Sequence, residues 1–550
     1  MNNLAELLQQ WSHEPERVLY RQYSDEQWRD YDVATLLVLV ARWQAGYKAA
    51  GLVAGDRVAL CMKNGVQWVI ADLAAHCSGL VVVPLYVDDN ADNISWCLQD
   101  SGARLLVADH LRFLPSLQKT LGNLPQIVLV RGASTAPAMH VDHWLPMRAD
   151  ALSIIQQPAE SLATIVYTSG TTGRSKGVML SHRNILGNIA GIVDACIVYG
   201  EDRLLSVLPM SHMFERTAGY YLALNAGATV IYCRGINELA QDLAEQQPTV
   251  VMAVPRLFQR IMTRIDERLA RAPIKRWMFY QAAQAGWRRF AKQQRFYDPL
   301  ILHSFYPKIS RTLRERLGGK LRAAIIGGAA LDQRVAEVLI GLGVTMLQGY
   351  GLTETSPVIS VNRFESNVPS SVGPPMVDVE IKLSDSSELM VRGSLVMQGY
   401  WQNPAATQVI IDSEGWLNTG DIVEIKDERI YICGRSKNIL VLSNGEKIAP
   451  EDIEKALLQD ALFEQVMVIG EGRPYLALVT VSKEKDEQLL LRHANQLIRH
   501  LPRYARIRRV IVSQEPWTAE NDLLTPTLKI KRDAVQAVYE RQIEAIYSSI

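Results

Sequence analysis

Short β-branched runs alternate with helix-length stretches through the early part of the chain, and this alternation limits the fold more than any other feature. The runs are Arg57–Cys61, Leu80–Pro84, Leu105–Ala108 and Ile127–Val130. Strands separated by helical stretches predict βαβ units and a largely parallel sheet. A second series, Ala163–Thr168, Leu204–Leu208, Thr229–Tyr232, Val250–Val254, Ala323–Gly327 and Thr345–Leu347, predicts another α/β layer stacked on the first. After Ser371 the texture changes to Val379–Leu383, Glu388–Val391, Val423–Ile425 and Ile430–Cys433, strands joined by tight turns as in a small antiparallel unit. From Ser436 a compact α+β pattern follows: a helix from Pro450, strands near Val466–Ile469 and Leu476–Val481, then helices to the end. The expected fold class is therefore α/β, with a large N-terminal body of stacked layers plus the antiparallel unit and a small α+β C-terminal domain. The boundary is expected at Gly434 to Lys437, dividing 1–434 from 435–550. A chain of 550 residues exceeds what one hydrophobic core usually supports, which agrees with more than one domain.

Basic and acidic residues balance at 58 each, so no global field draws the chain to nucleic acid or to a membrane surface, any such preference must be local, and nucleic acid is not expected as a partner. With 48% hydrophobic and 21% charged residues the composition is that of a folded globular protein. The cysteines, Cys61, Cys77, Cys97, Cys196, Cys233 and Cys433, are widely spaced with no Cys-x-x-Cys pattern, and buried reduced thiols are the simplest reading. A reducing cytoplasm fits them. The N-terminus carries Glu6 and lacks a basic region followed by an apolar core, and no apolar run approaches the length of a membrane span. A cytoplasmic protein is expected, with peripheral attachment to the inner face of a membrane as the other option.

The most informative stretch runs from Tyr167 to Gly177, directly after an apolar strand. Glycines allow the backbone N–H groups of such a loop to turn toward an anion, hydroxyls add donors, and Lys176 adds a point charge, so the loop reads as a phosphate cradle. It is not a Walker loop, because Ser175 stands where that motif requires glycine before the lysine. This loop resembles the signature of the adenylate-forming superfamily, which contains acyl-CoA synthetases, luciferases and peptide-synthetase adenylation domains. The other signature segments follow in order. Gly327 to Leu331 is similar to the adenine-side turn, Gly349 to Thr355 to the central nucleotide motif, Thr419 to Asp421 to the ribose element, Gly434 to Lys437 to the hinge, and Thr525 to Lys529 to the catalytic lysine segment.

The resemblance implies roles for particular residues. Thr168, Ser169, Gly170, Thr171, Thr172 and Lys176 would hold the β- and γ-phosphates of ATP. Gly328, Ala329, Gly349, Tyr350, Gly351 and Thr353 would surround the adenosine, with the flat face of Tyr350 available for stacking. Glu354, with Thr168, would hold Mg²⁺, which needs few protein ligands because it keeps water and phosphate oxygens. Asp421 would accept from the ribose hydroxyls, and Arg435 would reach ribose or phosphate through its fork of donors. His212, in the stretch Leu208 to Phe214, would border the acyl carboxylate; outside the family it reads as a core histidine. Lys529 would bridge carboxylate and α-phosphate during adenylation. Lying on the C-terminal domain, it implies that this domain is mobile, with Lys437 as pivot and Val441 to Gly445 lining a pantetheine channel after rotation. Two positions depart from the family pattern: Ser175 replaces a proline, and Asn438 replaces an acidic residue.

Between Arg256 and Arg322 stand 17 basic and 4 acidic residues, a local excess of 17 − 4 = +13. Leu257, Ile261, Ile265 and Leu269 form a stripe beside Arg256, Arg260, Arg264 and Arg268. The sequence leaves two readings open, a solvated charged face over the core and a face that lies on anionic lipid. This segment, the stretch Pro209 to Arg216 and the ending Thr525 to Arg532 are similar to bacterial long-chain fatty acyl-CoA synthetases. The implied activity is ATP-dependent formation of acyl-AMP from a long-chain fatty acid, then transfer to coenzyme A. Two alternatives stand beside it: a ligase using an acyl carrier protein or another acceptor, and a silent acyl- or nucleotide-binding protein. Chain length, oligomeric state and pathway are not legible in the residues.

Overall fold

The strands Arg57–Cys61, Val81–Pro84 and Leu105–Ala108 are buried along nearly their whole length, as a sheet covered on both faces requires. The computed structural model describes residues 1–550 except 122–123, 133–135, 169–173, 196–197, 500, 514, 526–527 and 549–550. The first sheet runs Gly399–Tyr400, Lys176–Ser181, Leu162–Thr168, Val81–Pro84, Arg57–Cys61, Leu105–Ala108, Gln126–Leu129, Met139–His140. Its interior pairs are parallel; Lys176–Ser181 is antiparallel to both of its neighbours. The second sheet runs Val358–Val361, Met346–Gly351, Ala323–Ile326, Val250–Ala253, Arg203–Ser206, Thr229–Tyr232, Val18–Ser24, Gln27–Asp32. Apolar residues of both sheets, among them Leu60, Val82, Leu204 and Val250, share one continuous core.

Two features differ from the expected layers. The run Ala163–Thr168 belongs to the first sheet, where Thr164 pairs with Val82. Its place in the sequence put it with the later strands, and only the pairing reveals the return. The hairpin Val18–Ser24 with Gln27–Asp32 was not anticipated. Its two-residue turn, Asp25 and Glu26, has both φ angles positive, 48° and 61°, as in a type I′ turn, but lacks the Asn-Gly or Asp-Gly chemistry that announces one.

The antiparallel unit is a four-stranded sheet, Val379–Leu383, Glu388–Gly393, Leu417–Lys426 and Arg429–Arg435 in spatial order. Beyond it, Gln465–Ile469, Leu476–Val481 and Ile507–Ser513 form a separate three-stranded sheet with apolar clusters of its own on each face. The last of these strands was expected to be helical. The adjacent Arg508 and Arg509 interrupt its apolar run, so its pairing in parallel with Leu476–Val481 left no clear period.

The seven-residue π-helix Glu215–Tyr221 lies within the main core. Here Arg216 and Asp72, both fully buried, form an ion pair at 2.5 Å, and Tyr220 and Tyr221 donate to the other Asp72 oxygen at 3.1 and 2.7 Å. Burial alone would raise the Asp72 carboxyl; Arg216, with His76, reverses this and holds it well below the usual range. Removing one member of such a pair typically costs about 3–5 kcal/mol, because the partner charge stays buried. Five cysteines among the described residues are free thiols. Cys61, Cys77 and Cys97 are buried as expected, whereas Cys233 is partly buried and Cys433 is exposed; Cys196 lies outside the described residues. No helix among the described residues is long and apolar enough to cross a membrane.

Candidate active site

The hairpin Leu162–Thr168 with Lys176–Ser181 sets Thr168 directly opposite Lys176, so the glycine-rich connection springs from a fixed base. Ser169, Gly170, Thr171 and Thr172 lie outside the described residues. The helix Ala91–Ser101, capped by Asn90 at its start and by Gly102 in the left-handed region at its end, braces the loop's flank. Ser175 donates to Asn93 Oδ1 at 2.9 Å, its carbonyl accepts from Trp96 Nε1 at 3.0 Å, and the Arg174 guanidinium lies 4.5 Å from the Trp96 ring centre. These hydrogen bonds fix Ser175 at the loop's end.

The central motif follows the second sheet. The strand Met346–Gly351 leads into the short 3₁₀ turn Thr353–Thr355, which carries Glu354. Glycine is required at Gly351, where a Cβ atom would sit 1.7 Å from the Pro357 carbonyl oxygen. Gly349 pairs with Val361 on the adjoining strand. Gly328, at φ +80°, and Ala329 lie in the exposed turn after Ala323–Ile326; beyond it the backbone N–H of Leu331 donates to Gln348.

Tyr350 donates to Asp421 Oδ2 at 2.6 Å, while Arg435 Nε donates to Asp421 Oδ1 at 2.8 Å. Asp421 and Arg435 are cross-strand partners in the antiparallel sheet, which aligns their charges before any ligand arrives. A carboxylate has about four lone-pair sites, so Asp421 keeps acceptor capacity for a diol. Glu354 Oε1 accepts from the Tyr400 phenol at 2.9 Å, and Lys176 Nζ lies 5.2 Å from the centre of the same ring. Tyr400 thus joins the loop lysine to the central motif. Nothing in the sequence pointed to it, because it comes from the edge strand Gly399–Tyr400, which meets Lys176–Ser181 only through the fold.

Lys529 is reached by solvent, yet protein mass around its ammonium lowers its pKa. Arg435 lowers it further, whereas Asp421 and Glu354 act in the opposite sense, so all three charges lie within electrostatic reach. The lysine's backbone N–H donates to Thr525 Oγ1 at 3.0 Å. The C-terminal unit is held against the body by Asn90 to Asp522 at 3.0 Å and Gln459 to Asp332 at 3.2 Å. Arg532, three residues past Lys529, pairs with the largely buried Glu454 at 2.5 Å and anchors the segment to its own domain.

His212 is half-buried, and burial together with the nearby Lys529 lowers its pKa to about 4. Its Nδ1 accepts from the Phe214 N–H at 3.2 Å, so the proton of the neutral ring resides on Nε2, a donor suited to a carboxylate oxygen. Three residues on, Glu215 is buried, and burial pushes its carboxyl up to about 8 against a hydrogen bond with Ser206; its Oε2 has no hydrogen-bond partner. The sequence assigned Glu215 no role. Lys437 stands in the exposed turn Ser436–Asn438, with its charge felt by Glu388, and Gly445 lies open in the turn between Leu440–Val441 and Lys447–Ile448. Neither joins the cluster around Asp421. Asn438 donates to Glu451 at 2.6 Å and so ties the turn to the first helix of the C-terminal unit.

Two stacked α/β sheets, an antiparallel sheet and a C-terminal unit that delivers a lysine beside paired carboxylates and cations together define an adenylate-forming fold. The description "AMP-binding enzyme" matches residues 7–401, and "AMP-binding enzyme C-terminal domain" matches residues 437–550. The chain belongs to the AMP-binding enzyme family. It is 31% identical over 580 residues to the long-chain-fatty-acid–CoA ligase FadD15 of Mycobacterium bovis, covering 97% of this chain and 95% of that one. It is 27% identical to a chloroplastic long-chain-fatty-acid–[acyl-carrier-protein] ligase, AEE15, of Arabidopsis thaliana, over 92% of this chain and 81% of the relative. The crystal structure of the anthranilate CoA ligase AuaEII with anthranoyl-AMP superposes with a TM-score of 0.78 over 98% of both chains at 19% identity, a likeness of fold.

Proposed function

We propose that the protein activates a long-chain fatty acid in two steps. A carboxylate oxygen attacks the α-phosphorus of ATP and pyrophosphate leaves; the thiol of coenzyme A, losing its proton, then attacks the acyl carbon and AMP leaves. The observation that carries this reading is Lys529, which lies within electrostatic reach of Arg435, Asp421 and Glu354 although it belongs to a separate C-terminal unit. Its charge is available where negative charge grows during attack on phosphorus, and positioned cations supply much of the catalysis in such transfers. Lys176 serves the departing pyrophosphate, Tyr350 and Asp421 hold the nucleoside, and His212 Nε2 donates to the acyl carboxylate.

The donor set fits Mg²⁺. No group of three or more His, Cys, Asp or Glu side chains gathers among the described residues, as a fully protein-ligated metal would need, while Glu354 presents a single carboxylate. Glu354 would hold the ion, with the Thr168 hydroxyl beside it. When bound, Mg²⁺ neutralises phosphate charge. Tyr400 keeps the Glu354 carboxylate oriented toward that task.

For the second step the C-terminal domain, 435–550, turns on the body, 1–434, about Lys437, and the hairpin ending near Gly445 lines the thiol's approach. In support, the antiparallel sheet ends at Arg435 and the next apolar cluster begins at Leu440. The protein works in the cytoplasm. A carrier-protein acceptor is the second reading, favoured by the name of the chloroplastic relative. Acid-dependent ATP–pyrophosphate exchange, followed by thioester formation with coenzyme A and with acyl carrier protein, tests both. Exchange that is strongest with long-chain acids and thioester with coenzyme A are expected. Exchange with no acid would overturn the reading, and thioester with carrier protein alone would replace the acceptor.

A further inference from the structure

The helices Pro255–Ala270, Pro273–Phe290, Asp298–His303 and Tyr306–Arg316 turn Phe258, Met262, Phe279, Tyr306 and Leu313 onto the second sheet. The sequence stripe Leu257, Ile261, Ile265 and Leu269 is likewise packed inward and partly buried. The outer side is nevertheless not a purely charged face. Ile274 is 74% exposed, Trp277 59%, Phe296 95% and Leu300 75%. Asp298–His303 folds back on Pro273–Phe290. One end is held by the ion pair of Arg288 with Asp298 at 2.5 Å, the other by Trp277 and Phe305, whose ring centres are 6.3 Å apart. Ile274, Trp277 and Leu300 therefore belong to a single two-helix ridge, with Phe296 on the turn that joins its helices.

The two helices of the ridge carry one acid, Asp298; of the acids that flank them, Asp266 is partly exposed and partnered, and Glu267 is exposed. Asp298 is buried on Arg288 and the Arg295 N–H, and Asp266 accepts from the Tyr280 phenol and faces Arg276 at 3.8 Å. Arg271, Lys275 and Lys292 are exposed and enter no ion pair among the described residues. Large apolar tips among unpaired cations combine the two attractions that hold a protein to an anionic bilayer, insertion of apolar side chains and neutralisation of headgroup charge. A solvated face needs no such tips, and a protein partner would not call for the segment's +13 excess.

We propose that this ridge docks on the surface of an anionic bilayer, with Trp277, Phe296 and Leu300 entering the headgroup region and Arg271, Lys275 and Lys292 facing lipid phosphates. This assigns a surface and does not depend on the identity of the acyl acceptor.

Flotation of the full chain with vesicles tests it. Phosphatidylcholine vesicles containing about one-third phosphatidylglycerol should carry the protein at about 0.05 M salt and release most of it at about 0.5 M, since exposed charge is screened. Each cation near the surface is worth about fivefold in binding, so Lys275→Glu with Lys292→Glu should lower it at least about 25-fold. Trp277→Ser with Phe296→Ser should lower binding to the same vesicles without removing its salt dependence. Both variants should retain wild-type turnover of a short, water-soluble acid, which separates loss of docking from loss of fold. Absence of wild-type binding at low salt, or equal binding by the variants, would overturn the proposal. So would a concentration-dependent dimer, abolished by the same substitutions, in a protein that ignores vesicles.

Discussion

Tyr350 donates to Asp421 across 2.6 Å, and this bond fixes both the plane of the ring and the free lone pairs of the carboxylate. The two residues come from different sheets, and Arg435 completes the arrangement from the strand beside Asp421. A nucleoside that stacks on the ring and hydrogen-bonds the carboxylate thus meets groups already held in register.

Tyr350→Phe keeps the stacking face and deletes the phenol. A hydrogen bond to a charged group is worth about 1.5–3 kcal/mol, so KM for ATP should rise about tenfold or more with kcat little changed. Steady-state kinetics at saturating acid check this, and an unchanged KM for ATP would separate the pair from nucleotide binding.

Glu354→Gln should keep the fold and lose adenylation, since the amide cannot supply the negative charge that Mg²⁺ needs. Tyr400→Phe, which removes only the orienting donor, should weaken the response to Mg²⁺ by about tenfold and recover near saturation. Pyrophosphate exchange measured against Mg²⁺ concentration distinguishes the two substitutions. Near-normal exchange by Glu354→Gln would remove that residue from the role.

Glu215 predicts a pH dependence of stability. Its folded pKa, about 8, stands above the ordinary 4.5, so between these values the folded protein holds a proton that the unfolded chain has lost. The favourable contribution is complete below about 4.5 and declines as pH rises through 8. Glu215→Gln cannot ionise, so its stability relative to wild type should grow with pH by up to about 1.4 kcal/mol per pH unit across that window. His212, depressed to about 4, has the opposite slope below about 6.5 in both proteins and cancels in the comparison. Thermal midpoints of the two proteins from pH 5 to 8 give the difference; a constant gap would contradict the assignment.

The sequence made the parallel core legible because its strands are apolar runs bounded by helices, and local pattern suffices for those. It did not reveal that Leu162–Thr168 returns to lie beside Val81–Pro84, since pairing partners leave no local mark. The hairpin at Asp25 and Glu26 escaped because its left-handed turn lacks glycine and asparagine. At the site, Lys176, Glu354, Asp421, Arg435 and Lys529 were legible through family motifs. Tyr400 was not, because a tyrosine on a two-residue edge strand gains its importance only from the Glu354 carboxylate it touches. Glu215 lies within the stretch Pro209 to Arg216, and its burial in a π-helix cannot be read from spacing.

Lys529 stands near the end of the chain and comes within electrostatic reach of Arg435, Asp421 and Glu354 only through the docking of a separate unit. Removing one contact that stabilises transition-state charge typically costs about 10²–10³ in rate. In the thioester step the C-terminal domain is proposed to have turned away, so the lysine's contribution there should be small. Single-turnover measurement of both half-reactions with Lys529→Ala is therefore decisive. Acyl-adenylate formation should be slowed by about 10²-fold or more, with supplied acyl-adenylate and coenzyme A converted to thioester at nearly the wild-type rate. Unimpaired adenylation by the variant would contradict this role for Lys529.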